Sequence, residues 1–137
     1  MNTEKPLRIL ILDDEVNSSK MVATLISKHF PDLIISGIVQ TVKEALSHIE
    51  SNEVDIVTLD IELRKESGFD LLDKTKERKF EFICLSASKE YAFQAFEYGA
   101  SGYLLKPINE HELTFALSKF IKPKPLVQLS SPFMDEE

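Results

Sequence analysis

Apolar residues arrive along this chain in five short bursts, separated by longer stretches with helical spacing. The bursts are residues 7–12 (Leu-Arg-Ile-Leu-Ile-Leu), 33–39, 54–59, 80–85 and 102–105. They are short and rich in leucine, β-branched and aromatic residues, which predicts buried strands of a parallel sheet. Between them, apolar positions recur every three or four residues. Val22, Leu25, Ile26, His29 and Phe30 form one helical face ending before Pro31. Val42, Ala45, Leu46 and Ile49 form a second, with Thr41 placed to cap it. Phe69, Leu71 and Leu72 open a shorter third helix. Ala92, Phe93, Ala95 and Phe96 make a fourth, stopped near Gly99, and Leu113, Ala116, Leu117 and Phe120 a fifth. Phe93 and Phe96 at such spacing are more often core than interface, and an exposed one would mark a partner surface. Strict β-then-α alternation implies right-handed crossovers and helices on both faces of the sheet. The expected fold is therefore α/β, a flavodoxin-like doubly wound sheet of five parallel strands in the order 2-1-3-4-5, with five helices.

The pattern breaks at Lys122, where Lys-Pro-Lys-Pro cannot continue a helix. Residues 1–121 are thus expected to be one domain and 122–137 a linker or tail. A chain of 137 residues with 43% hydrophobic content suits a single domain with a real core. The lone cysteine, Cys84, admits no internal disulfide and is expected to be a buried, inert thiol in a reducing compartment. No apolar run is long enough to span a bilayer, and residues 1–6 lack the core of a secretory signal, so a cytoplasmic location is expected. A net charge of −7 argues against direct contact with nucleic acid, a polyanion. His29, His48 and His111 share no metal-ligand spacing and are expected at the surface or its boundary.

The candidate chemistry lies where the strands end, since ligands of a doubly wound sheet bind at the carboxyl ends of its strands. Strand one is followed by Asp13, Asp14 and Glu15, strand three by Asp60, strand four by Ser86 and Ala87, and strand five by Lys106 and Pro107. Strand two offers only Gln40 and Thr41. Two carboxylates about 4 Å apart repel by roughly 4 kcal/mol at an effective dielectric near 20. Three gathered carboxylates therefore raise a pKa or collect a cation. An all-oxygen set with room for water suits Mg²⁺, while thiolate- or imidazole-loving metals find no ligand there. With the Lys106 ammonium beside it, such a site can hold a phosphoryl dianion, and a carboxylate between metal and lysine can act as its nucleophile.

The stretch Ile-Leu-Ile-Leu-Asp13-Asp14-Glu15, the Leu59-Asp60-Ile61 strand end, Gly68 in the next loop, Ser86-Ala87 and Gly102-Tyr103-Leu104-Leu105-Lys106-Pro107 together resemble the response-regulator receiver family. Their order and intervals are those of the family, from Leu7 to about Ile121. The run Tyr91-Ala92-Phe93-Gln94-Ala95-Phe96-Glu97-Tyr98-Gly99-Ala100 looks like receivers attached to LytTR-type DNA-binding domains. The resemblance implies that Asp60 is a phospho-acceptor. Asp13 and Asp14 would hold Mg²⁺, with help from Asp60 and the backbone carbonyl of Glu62. Lys106 would contact the phosphoryl group and Ser86 would hydrogen-bond it. Tyr103 would be a switch aromatic, and the Lys106–Pro107 peptide would be cis. The implied partners are a histidine kinase or phosphotransfer protein, together with an effector domain or a second copy of the chain. The domain would assist its own phosphorylation and dephosphorylation without turning over an external substrate. The output surface would be the fourth helix, fifth strand and fifth helix. Two departures stand out: Arg64 occupies a position where many receivers carry proline, and Ser86 replaces the commoner threonine.

Plainer readings exist for each residue. Asp13 and Asp14 could cap the first helix, Ser86 the fourth, and Tyr103 could simply pack. A receiver-like module that is never phosphorylated is the alternative function. A phosphatase of the haloacid dehalogenase type fits less well, because it carries an Asp-x-Asp nucleophile after strand one and a cap domain.

Overall fold

The computed structural model describes residues 5–125. Its strands are β1 (Arg8–Leu12), β2 (Ile34–Val39), β3 (Ile56–Asp60), β4 (Glu81–Ser86) and β5 (Gly102–Leu105). They form one parallel sheet in the order β2-β1-β3-β4-β5, as the alternation implied. The helices are α1 (Val16–His29), α2 (Val42–Ser51), α3 (Phe69–Asp73), α4 (Ala92–Glu97) and α5 (Glu110–Leu117). Residues 126–137, most of the expected tail, lie outside the described residues. Within its first part the Lys124 amide donates to the His29 carbonyl at the end of α1.

Because successive strand side chains point to opposite faces, each central strand feeds two cores. Leu10, Leu12, Val57, Leu59, Phe82 and Cys84 meet Val42, Ala45, Leu71, Leu72 and Ala95 from α2, α3 and α4. Ile9, Ile11, Ile56, Ile83 and Leu85 meet Val22, Ile26, Leu113, Ala116 and Leu117 from α1 and α5. Burial pushes the Cys84 thiol up to about 12, so it is inert as expected. β2 is an edge strand, and Ile34 and Ile38 are partly bare.

Thr41 caps α2, its hydroxyl accepting the Glu44 amide at 3.0 Å. Gly99, at φ +99°, ends α4 in a left-handed conformation that favours glycine. One expectation is overturned: Phe93 and Phe96 are not core residues but 75% and 56% exposed. A six-residue α4 packs through a single buried position, Ala95, so its remaining faces point outward. On α5, Phe115 is likewise 70% exposed.

Candidate functional site

The strand order places the ends of β1 and β3 side by side, and the carboxylates that follow them converge. Asp13, Asp14 and Asp60 each present an oxygen within 4.8 Å of the others. Asp13 and Asp60 are buried, whereas Asp14 is half-exposed. Lys106, one residue past β5, reaches across the rim: its ammonium lies 3.1 Å from Asp13 Oδ2 and 3.2 Å from Asp60 Oδ2. The Lys106–Pro107 peptide is cis.

Two buried carboxylates sharing one ammonium leave an imbalance. Burial first, and the Asp13 charge second, lift the Asp60 carboxyl from 3.8 to about 7, against the opposing pull of Lys106. Burial pulls the Lys106 ammonium down, but Asp60 and Asp13 together outweigh it and its pKa rises. Asp13 Oδ2 receives no aligned hydrogen bond and is buried. A buried carboxylate oxygen whose close cation, Lys106, is shared with Asp60, beside two more carboxylate oxygens, leaves negative charge that a hard, oxygen-seeking divalent cation would balance. The donor set therefore fits Mg²⁺.

The loop between β3 and α3 closes the site from one side. The Gly68 amide donates to the Ile61 carbonyl at 2.9 Å. A Cβ on Gly68 would sit 2.3 Å from the Asp60 carbonyl oxygen, so only glycine allows this close return. The Arg64 amide donates to Asp14 Oδ2. Proline has no N–H to give, so the departure at Arg64 ties the loop to the acidic rim. Farther along the loop, Glu66 accepts the Val42 amide at 2.9 Å, joining it to α2.

The opposite side is built from hydroxyls. Ser86, the last residue of β4, is fully buried. Its Oγ donates to Glu62 Oε2 at 2.7 Å or to the Ser88 carbonyl at 2.9 Å, and accepts the Ser88 amide at 2.9 Å. The Ala87 amide donates to Glu62 Oε1 at 3.1 Å. Tyr103, half-buried on β5, donates its hydroxyl to the Ser88 carbonyl at 2.5 Å.

The capping alternatives fare differently. Asp13 Oδ1 accepts the Glu15 amide at 2.9 Å, but α1 has no side-chain cap. The short turn before α4 is capped by Ser88, not by Ser86. Gln40 and Thr41 stay with α2: the Gln40 amide donates to Glu44, and Thr41 caps the helix. His29 pairs with Glu110 and His48 with Ser36, both away from the rim. The charge of Glu62 beside Asp60 is evident from the sequence, but its contact with Ser86 and Ala87 is not. Nothing in a sequence reports where a surface carboxylate will fold back.

The sequence model for the response regulator receiver domain matches residues 9–118. The chain is 34% identical over 118 residues to the sensory transduction protein LytT of Enterococcus faecalis, covering 85% of this chain and 48% of that one. It is 32% identical over 127 residues to the positive alginate biosynthesis regulatory protein of Pseudomonas aeruginosa, covering 91% and 51%. The chain thus spans about half the length of these relatives. Among solved structures, it is similar to the response regulatory domain of protein mrkE from Klebsiella pneumoniae, with a TM-score of 0.76 and 29% identity over 82% of this chain and 93% of that one. A CheY-like receiver domain from Methanospirillum hungatei gives a TM-score of 0.72 and 27% identity over 82% and 91%.

Proposed function

Because the chain belongs to the response-regulator receiver family, we propose that it is a phosphorylation switch in which Asp60 accepts a phosphoryl group with the help of Mg²⁺. The observation that carries this reading is the convergence of three aspartate oxygens within 4.8 Å, with the Lys106 ammonium 3.2 Å from Asp60.

The donor is a histidine kinase, a phosphotransfer protein or a small phosphodonor. An Asp60 oxygen attacks phosphorus, the bond from phosphorus to the donor's imidazole nitrogen or acyl oxygen breaks, and the leaving group takes the electron pair. Asp13, Asp14, Asp60 and the Glu62 carbonyl would hold Mg²⁺, which when bound supplies charge neutralisation and alignment for the transfer. Lys106 compensates charge on the product phosphoryl oxygens. Ser86 donates a hydrogen bond to the new group, and Tyr103 follows the rearrangement of the loop after β4. The phosphoryl group can shift the two conformers only by contacting them differently, which is the role of Ser86 and Lys106.

The output surface is the α4–β5–α5 face. Exposed Phe93, Phe96 and Phe115 give it the apolar character of a contact for an effector domain or a second copy of the chain. The likeness to LytT proteins agrees with the aromatic run around α4. The receiver comprises residues 1–121, and 122–137 are a linker or tail. It acts in the cytoplasm and turns over no external substrate.

Incubation with acetyl phosphate and Mg²⁺, followed by intact mass spectrometry, tests the assignment. One phosphoryl group is expected on the wild type and none on an Asp60→Asn variant. An unmodified wild type, or equal labelling of the variant, would overturn it.

A further inference from the structure

The Glu62 carboxylate occupies an unusual place for a surface side chain. It leaves the loop after β3 and closes onto the end of β4, where both of its oxygens are engaged. Oε2 accepts the Ser86 hydroxyl at 2.7 Å and Oε1 accepts the Ala87 amide at 3.1 Å. The Ile61 amide donates to the Leu85 carbonyl at 2.9 Å, so these two donors stand beside the residue that follows Asp60. A hydroxyl has one proton to give. Of its two acceptors, Glu62 and the Ser88 carbonyl, the carboxylate is the stronger because the hydrogen bond is charge-assisted. The Ser86 hydroxyl and Ala87 amide thus form a two-pronged donor pair filled by an anion of the chain's own.

We propose that Glu62 is an internal anionic latch, which holds the Ser86–Ala87 donor pair in the unphosphorylated state and must be displaced before a phosphoryl group on Asp60 can recruit it. The proposal rests on the phospho-acceptor reading and adds a competitor to it. The latch sets the ease of switching, since every hydrogen bond given to the phosphoryl oxygens is first taken from Glu62. Displacement is cheap in structural terms: Glu62 is exposed, and its carboxylate returns to water. Ser86, by contrast, is buried and without Glu62 has, among the described residues, only the Ser88 carbonyl to donate to.

The test uses fluoroberyllate, a phosphoryl mimic, titrated calorimetrically at saturating Mg²⁺. A Glu62→Gln variant keeps the shape but loses the charge-assisted bonds and is expected to bind the mimic about tenfold more tightly. In a Ser86→Ala background most of that gain should vanish, because the contested donor is gone. Unchanged or weaker binding by Glu62→Gln overturns the latch. So does a gain that persists undiminished with Ser86→Ala, since that is charge repulsion acting through space. A second measurement needs no phosphoryl chemistry. In the Mg²⁺-free protein, Glu62→Gln should move the Ala87 amide proton upfield and speed its exchange with solvent. An Ala87 amide unaltered in both respects means that no latch exists. Failure of the wild type and the variant alike to take up fluoroberyllate, with the Ala87 amide responding as expected, instead sinks the phospho-acceptor reading and the competition built on it.

Discussion

On one flank of the rim, Asp13, Asp60 and Lys106 are charges held in the protein by strand ends, two carboxylates to one ammonium. On the other flank, Ser86, Ser88, Tyr103 and Glu62 are joined through a loop by hydrogen bonds that end on an exposed carboxylate. The acid flank carries an electrostatic imbalance, so it responds to changes of charge: protons, cations or a new anion. The hydroxyl flank is satisfied as it stands and responds to competition for its donors. A switch needs both kinds of construction, one to sense the incoming charge and one to move when it arrives.

The largest expected effect comes from unbalancing the acid flank further. A Lys106→Met variant leaves Asp13 and Asp60 facing each other without the ammonium. Removing one partner from a buried ionic group costs about 3 kcal/mol, so urea denaturation at pH 8 in a chelator should show a loss of that order. Mg²⁺ should then restore more stability than it adds to the wild type, because it meets two uncompensated carboxylates. Equal stability of variant and wild type would mean that the ammonium compensates nothing.

The opposite sign is expected at Asp60. Its carboxyl titrates at about 7 in the folded protein against 3.8 ordinarily. Between those values the folded state binds the extra proton, so this group makes stability fall as pH rises from about 4 to 7. Above pH 7 its penalty is complete. An Asp60→Asn variant removes the charge and should be more stable than the wild type by about 2 kcal/mol at pH 8 in a chelator, less than the full shift because Asp14 and Lys106 beside it are partly open to solvent. The gain should shrink as pH falls and disappear near pH 4. A gain independent of pH would assign the effect to packing instead of ionisation.

The two flanks also differ in how much of them the sequence discloses. The acid flank is legible because it is made of strand ends: once β1, β3 and β5 are placed in a parallel sheet, Asp13, Asp60 and Lys106 have nowhere else to go. Gly68 is legible for a similar reason, as a backbone approach that no Cβ permits. The hydroxyl flank is only half legible. Ser86 follows from its strand, but the Glu62 carboxylate reaches it through rotatable bonds that no periodicity encodes. The aromatic residues of α4 depart from the core reading for a different reason. Their spacing is that of a buried helical face, yet six residues bury only Ala95, leaving Phe93 and Phe96 outside. Amphipathic spacing says that a face seeks cover, not that the cover comes from the same chain.

The smallest expected effect lies at the far end of the hydroxyl flank and tests whether the flanks are separable. Tyr103 donates to the Ser88 carbonyl at 2.5 Å, and that carbonyl is also within reach of Ser86 Oγ. A Tyr103→Phe variant removes one neutral hydrogen bond at a half-buried position, worth about 1 kcal/mol or less, because water or Ser86 can take up the freed acceptor. The loss should appear as faster hydrogen exchange of the Ser88 and Glu90 amides, whose acceptors are Ser86 Oγ and Ser88 Oγ in the same loop. Mg²⁺ affinity, read by calorimetry, should stay within twofold of the wild type, since among the described residues no hydrogen bond joins Asp13, Asp14 or Asp60 to this loop. A Mg²⁺ affinity that falls with Tyr103→Phe would show that the loop already shapes the acid flank before any phosphoryl group is present. Sensing and response would then be one structure and not two.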